Sequence, residues 1–186
     1  MRCFWVNLNN PLYVEYHDKE WGVPLHDDGK LFELLTLECF QAGLSWECVL
    51  NKREAFRKAF DNFDAGIVAS YTADKIDELM QDTKIIRHRL KIKAAIRNAQ
   101  IYLDIQREYG SFDCYIRRFS GNKIIIEHCD QHTSSALSDA ISRDLKKRGM
   151  SFVGTTTIYS FLQACGVING HSAECFLSPS KQQELK

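Results

Sequence analysis

Proline is scarce in this chain, three residues in 186, and no segment is low in complexity. With no Pro-, Gly- or Ser-rich linker, one compact unit over residues 1–186 is expected. Long apolar runs are missing as well. No stretch approaches the roughly 20 residues that a membrane span requires, and the opening MRCFWVNLNN lacks the apolar core of a signal peptide. A cytoplasmic protein with no membrane partner is the expectation. Net charge is absent too: 24 Lys and Arg balance 24 Asp and Glu, so the overall sum indicates no polyanionic partner. The seven cysteines are odd in number and scattered. That argues against a secreted disulfide framework and for a reducing compartment.

What is present is ordinary globular material, 45% hydrophobic and 26% charged, enough for a sizeable core. The stretch Thr36–Leu50, TLECFQAGLSWECVL, stands out. Leu31, Phe32, Leu34, Leu35, Leu37 and Cys39 form an apolar face at helical spacing, and Glu38 falls among them. Either Glu38 sits at a helix edge with its head in water, or it is a buried acid beside an aromatic wall, Trp46, as in many ligand pockets. A helix is predicted from Asp27 or Asp28 to about Ala42, closed by Gly43, and another from Ser45 to about Phe60. Asp64 and Thr72 cap two short helices, and residues 72–109 read as helix, tight turn, helix. Ser134 or Ser135 opens a further helix that Gly149 ends, and Gly154 precedes the last, TTTIYSFLQACG. Residues 1–26 show few helical signals. Lys123–Glu127 is β-branched, but a lone strand makes no sheet. Eight or nine helices and almost no strand make the class all-α.

Charge is unevenly distributed. Lys84, Arg87, Arg89, Lys91, Lys93 and Arg97 follow one another with no acid between them, and Arg143, Lys146, Lys147 and Arg148 enclose only Asp144. Such runs are either solvated helix faces or phosphate contacts. A tight turn into a helix N-terminus can hold a phosphate through main-chain N–H groups and flanking cations. Asp82–Arg89, DTKIIRHR, suits that role, and an ordinary helical hairpin with a basic face suits it equally.

The two ends of the chain offer metal ligands. His171 and Cys175 stand four apart, which would put them on one face of a helical turn, and Cys3 and His17 lie near the other terminus. Together they make a closed Cys2His2 set of the kind zinc takes, with no open position for water. Ordinary buried thiols are the competing reading.

These pieces together resemble the type I 3-methyladenine-DNA glycosylases of bacteria, within the helix–hairpin–helix glycosylase superfamily. The likeness rests on PLYVEYHDKEWGVP (11–24), LECFQAGLSWECVLNKREAFRKAF (37–60), IIRHRLKI (85–92) and LKKRGMSFVGTTTIYSFLQACGVINGH (145–171), with the H-x3-C that follows. It implies a helix–hairpin–helix glycosylase fold, with a 27–110 lobe and a second lobe of 1–26 plus 111–186. It implies a structural zinc on Cys3, His17, His171 and Cys175 that joins the two ends. Alkylated double-stranded DNA is the implied partner, bound by a monomer. N3-methylated adenine is a cationic, weakened leaving group, so the demand is extraction and recognition. Glu38 is the implied pocket acid, and Trp46, Tyr16, Tyr13 and Trp5 the rings on which a cationic base stacks. Trp21 is assigned to packing. Lys84, Arg87, Arg89 and Lys91 are the candidates for the DNA backbone. No lysine is marked as a Schiff-base nucleophile, so strand cleavage is not expected. Two positions depart from the family pattern: Lys84 stands at a hairpin position where glycine is common, and Cys39 follows Glu38 where glycine is frequent. A DNA-binding module without catalysis and a zinc hydrolase are the competing functions. The Glu38–Trp46 pair argues against the first, and the closed ligand set against the second.

Overall fold

The structure, a computed structural model, describes residues 1–128 and 132–179. In chain order the helices are α1 (Pro11–Lys19), α2 (Asp28–Gln41), α3 (Trp46–Leu50), α4 (Arg53–Ala59), α5 (Ala65–Ala69) and α6 (Ala73–Gln81). They continue with α7 (Arg89–Tyr109), α8 (Phe112–Arg117), α9 (Ala136–Lys147) and α10 (Thr155–Ala164). Two short 3-10 turns and one small strand pair, β1 (Ile125–Ile126) parallel to β2 (Ile168–Asn169), complete the described residues.

Every residue of α2 from 31 to 40 is buried. A helix apolar nearly all round has no solvent face and must lie inside; α3, α7, α8 and α10 pack around this one. Asp27 caps it by accepting the Lys30 N–H (2.9 Å). Its first residue also organises its neighbours. The Asp28 carboxylate accepts the Phe112 and Asp113 N–H groups at the start of α8 (2.8 and 3.0 Å) and the Gln106 amide of α7 (2.6 Å). The Tyr102 hydroxyl donates to the Asp28 carbonyl (2.7 Å). At its other end Phe40 joins Phe56 and Phe60 in a ring cluster. Asp61, Asn62 and Phe63 turn the chain with φ of 48–57°, left-handed values unfavourable to such residues. Stacking of Phe63 on Phe60 at 5.8 Å offsets that cost.

Several sequence expectations need correction. Residues 11–19 are helical: Pro11 occupies N1 and the Asn10 side chain accepts the Leu12 N–H. The predicted helix from Ser45 to Phe60 is two, broken at Asn51 and Lys52. The isoleucine strand does find a partner, in β2. His171 and Cys175 lie in a turn rather than a helix, with the Cys175 N–H on the Ser172 carbonyl (2.8 Å). The hairpin of α6 and α7, and the caps at Asp64, Thr72 and Ser135, stand as expected.

Replacing Asp28 with Ala keeps the Ser111 cap of α8 but leaves the Phe112 and Asp113 N–H groups and the Gln106 amide unpaired. The expected loss is about 2 kcal/mol in a urea unfolding experiment, with the slope unchanged.

Candidate functional site

Two faces of α1 build two adjoining sites. Tyr13 and Tyr16, three apart, face α2 and α3, while His17 turns toward the C-terminal segment. The first site is a cavity of about 250 Å³ lined by Trp5, Tyr13, Tyr16, Trp21, Glu38, Gln41, Trp46, Ser160 and Gln163. All five residues singled out for a stacked base and its acid therefore line one cavity. Tyr16 and Trp46 lie 5.3 Å apart at 43°, and Trp5 contacts both Tyr13 (5.3 Å) and Trp21 (4.9 Å). Trp21, assigned from the sequence to packing, thus also lines the site. Ser160 and Gln163, from α10, carried no sequence signal; their position depends on a helix more than 100 residues further along.

Glu38 is the chemical centre of the cavity. It is only 4% exposed, so the reading with its head in water is excluded. Burial raises its pKa from 4.5 to about 8. Its Oε2, the Trp46 Nε1 and the Gln163 Nε2 are buried without a hydrogen-bond partner. Buried polar atoms are normally satisfied, and leaving one unpaired costs about 1–3 kcal/mol. Three such atoms around one cavity are the mark of a site that expects a polar, flat ligand. A larger cleft of about 500 Å³ lies beyond Tyr16. Its buried acid, Glu33, is already paired with Arg53 (2.5 Å) and Arg57 (2.8 Å), and Arg53 also with Glu20 (2.7 Å), so it lacks that demand.

The second site joins the ends of the chain. Cys3, His17, His171 and Cys175 are all buried, with ligand atoms within 4.8 Å of one another. Cys175 Sγ lies 3.5 Å from both His17 Nε2 and His171 Nδ1, and Cys3 Sγ 3.6 Å from His171 Nδ1. Those separations are about the edges of a tetrahedron with metal–ligand bonds of roughly 2.0–2.3 Å. The Asp18 carboxylate holds the other nitrogen of His17 (2.8 Å) and is itself held by Arg2 (2.6 Å), an outer support of the usual kind. Gly22, at φ +80°, lies so close to the His171 ring that a Cβ would stand 2.9 Å from Nε2. Cys165 takes no part; its thiol faces the Leu162 carbonyl.

The basic run divides. Lys84, Arg87 and Arg89 are exposed around the turn between α6 and α7. Arg89 is paired with Asp77 (2.6 Å). Lys84 does not adopt a positive φ, so the turn does not require glycine there. Lys91 is turned inward instead: it is 6% exposed, and its ammonium donates to the carbonyls of Phe40 (2.8 Å) and Ala42 (2.6 Å). Its assignment to the DNA backbone is corrected, because the side chain is buried and its ammonium is engaged by two carbonyls at the end of α2.

The sequence pattern of methyladenine glycosylases matches residues 5–178. This chain belongs to that family. Among the methyladenine glycosylases it is 45% identical to the DNA-3-methyladenine glycosylase 1 of Escherichia coli K12, over 97% of this chain and 98% of that one. It superposes on a crystal structure of a 3-methyladenine DNA glycosylase I with a TM-score of 0.92 and 46% identity, covering 96% of this chain and all of the other. A third relative is the Staphylococcus aureus enzyme whose structure describes 3-methyladenine recognition. It has a TM-score of 0.89 and 39% identity, and the match covers 97% and 96% of the two chains. No helix among the described residues of this glycosylase is long and apolar enough to cross a membrane.

The buried acid couples stability to pH. Because the folded pKa of about 8 lies above the usual 4.5, the folded state holds a proton that the unfolded chain releases. Stability is therefore complete below 4.5 and is lost as pH rises toward 8. Relative to Glu38→Gln, the wild type should lose up to about 1.4 kcal/mol per pH unit across that window in chemical denaturation.

Proposed function

We propose that this protein excises 3-methyladenine from alkylated double-stranded DNA by hydrolysis of its N-glycosidic bond, the first step of base-excision repair. The observation that carries the reading is the unpartnered Glu38 carboxyl facing a cavity walled by Trp46, Tyr16, Tyr13 and Trp5. Its family membership and the activities of its relatives point the same way.

The lesion is flipped out of the duplex, because its scissile bond is inaccessible within the stack. Its positive charge is spread over a flat ring, and rings of Trp and Tyr attract such a cation by about 0.5–2 kcal/mol per desolvated contact. Tyr16 and Trp46 touch one another at 5.3 Å, so the base lies against this pair rather than between its members. Ionised Glu38 accepts from the exocyclic amine and balances the charge of the base. An uncharged adenine gives up the stacking gain and leaves the acid to be buried unpaired, which is how a site built around hydrogen bonds rejects the wrong ligand. Water adds its hydroxyl to C1′, the base departs neutral with the bonding electron pair, and the spare proton passes to solvent. No lysine lines the cavity, so no Schiff base forms and the strand stays intact.

The turn between α6 and α7 serves as the helix–hairpin–helix phosphate dock. Its exposed Lys84 and Arg87, the N-terminus of α7 and Arg89 supply the charge. Exposed Leu44, on the turn before Trp46, has the apolar surface that fills space left by a flipped base. The Cys2His2 cluster suits zinc, which would tie the N-terminal segment to the C-terminal one and leave no open coordination position. That role is structural. The 27–110 and 1–26 plus 111–186 lobes then divide the labour between phosphate docking and the tied pocket wall; residues 180–186 lie outside the described part. A binding module without catalysis is disfavoured, since it would have no use for a buried acid.

Excision assays and metal removal test this reading. Duplex DNA carrying 3-methyladenine should release the free base, with kcat/KM rising with pH and levelling off above about 8, the value burial gives Glu38. Glu38→Gln should lose about 100-fold or more and lose the pH dependence. Removal of metal by a chelator should release zinc, one ion per chain by elemental analysis, and lower the melting temperature of the wild type. Cys175→Ser should start from that lower temperature and lose little more.

A further inference from the structure

Lys91 is the one member of the acid-free run that the structure withdraws from solvent. A helix leaves its last four carbonyls without intrahelical partners, and a cation at that end meets both the orphaned oxygens and the negative end of the helix dipole. In α2 those oxygens lie just past Glu38. Lys91 Nζ binds two of them, the Phe40 carbonyl at 2.8 Å and the Ala42 carbonyl at 2.6 Å. The chain then leaves α2 abruptly: Ala42 has ψ 114°, Gly43 has φ +82°, and the Leu44 N–H returns to the Gln41 carbonyl (2.6 Å). Four residues after Ala42 comes Trp46. The ammonium is therefore fixed to the segment that carries the acid, the rim residue Gln41 and the stacking ring.

Its other end belongs to the hairpin. Lys91 lies in the first turn of α7, and its N–H donates to the capping side chain of His88 (3.3 Å). The Phe152 ring covers the ammonium at 5.9 Å and the His88 ring at 6.2 Å. Phe152 is held at φ +59°, a backbone value that a bulky residue adopts only when its surroundings impose it. A second lysine makes a parallel tie: Lys52 Nζ, between α3 and α4, donates to the Lys84 carbonyl in the turn (3.1 Å).

We propose that Lys91 is a positioning residue that locks the C-terminal end of α2 to the phosphate-docking hairpin, so that seating the hairpin on DNA sets Glu38 and Trp46 for the flipped base. The inference rests on the glycosylase reading above and assigns Lys91 no contact with either DNA or base. A displacement of the pocket wall by about 1 Å is enough to cost on the order of 100-fold in rate.

The test compares Lys91→Met, which keeps the length of the stem, with Arg87→Ala, which removes an exposed cation from the same turn. Binding to undamaged duplex is measured against salt, and single-turnover excision of 3-methyladenine at saturating enzyme. Lys91→Met should keep the wild-type salt slope and excise about tenfold or more slowly. Arg87→Ala should lose about one unit of slope, the signature of a lost phosphate contact. A shallower slope for Lys91→Met would make it a phosphate ligand, and an unchanged excision rate would leave it no positioning role; either overturns the proposal. Should Lys91→Met fail to fold, amide hydrogen exchange on the wild type decides. Undamaged DNA should protect the amides of residues 44–46 along with those of 84–90, and protection confined to 84–90 overturns the proposal. A wild type that released no 3-methyladenine would defeat the glycosylase reading, while the exchange result would still report on the tie.

Discussion

A carboxyl group held out of water on a rigid helix sets the terms for the rest of the molecule. Glu38 gains nothing from its surroundings in the free protein: its pKa moves up through burial alone, and one of its oxygens has no partner. Such a position is unfavourable, and it persists only because everything around it is over-determined. Residues 31–40 of α2 are enclosed on all sides, its first residue anchors α7 and α8, and its last turn is held by a buried ammonium. On the function proposed above, the stability lost at Glu38 would be returned when a cationic base enters, which would make the site preorganised for a positive ligand.

The rings that complete the cavity depend on the opposite end of the chain. Tyr13, Tyr16 and His17 share one short helix, and Trp5 packs on Tyr13, Trp21 and the His17 ring. Trp21 in turn meets the His171 ring edge-on at 4.7 Å. The Cys2His2 cluster thus sits directly behind the aromatic wall. An ion there would close a loop of nearly the whole chain, and loop closure over that length is what a nine-residue helix needs to stay docked. Structure and chemistry meet in α1, where adjacent residues face the cavity and the cluster.

Much of this was legible in the residues. Glu38 announced itself by falling on the apolar face of a helix, and the ends of the chain by carrying matched Cys and His. The hairpin, with its caps, followed from periodicity. Other features left no local trace. Lys91 reads as one more cation in a basic run because its partners are backbone carbonyls of another helix, and carbonyls carry no sequence signature. Gln163 and Ser160 reach the cavity only through the packing of α10 on α2. The helix at 11–19 was hidden by its aromatic content, although Asn10–Pro11 is a helix start and Tyr13, Tyr16 and His17 have helical spacing. The strand pair is two residues long, below what alternation can reveal.

The central claim concerns the charge state of one side chain, and carboxyl-selective carbon NMR reads that directly. With glutamate labelled and Glu38→Gln used to assign its resonance, the Glu38 carboxyl in the free protein should titrate with a midpoint of about 8. A midpoint near the ordinary 4.5 would mean that water or a partner already stabilises the ionised form, and would contradict the account of a cavity that waits for a cation.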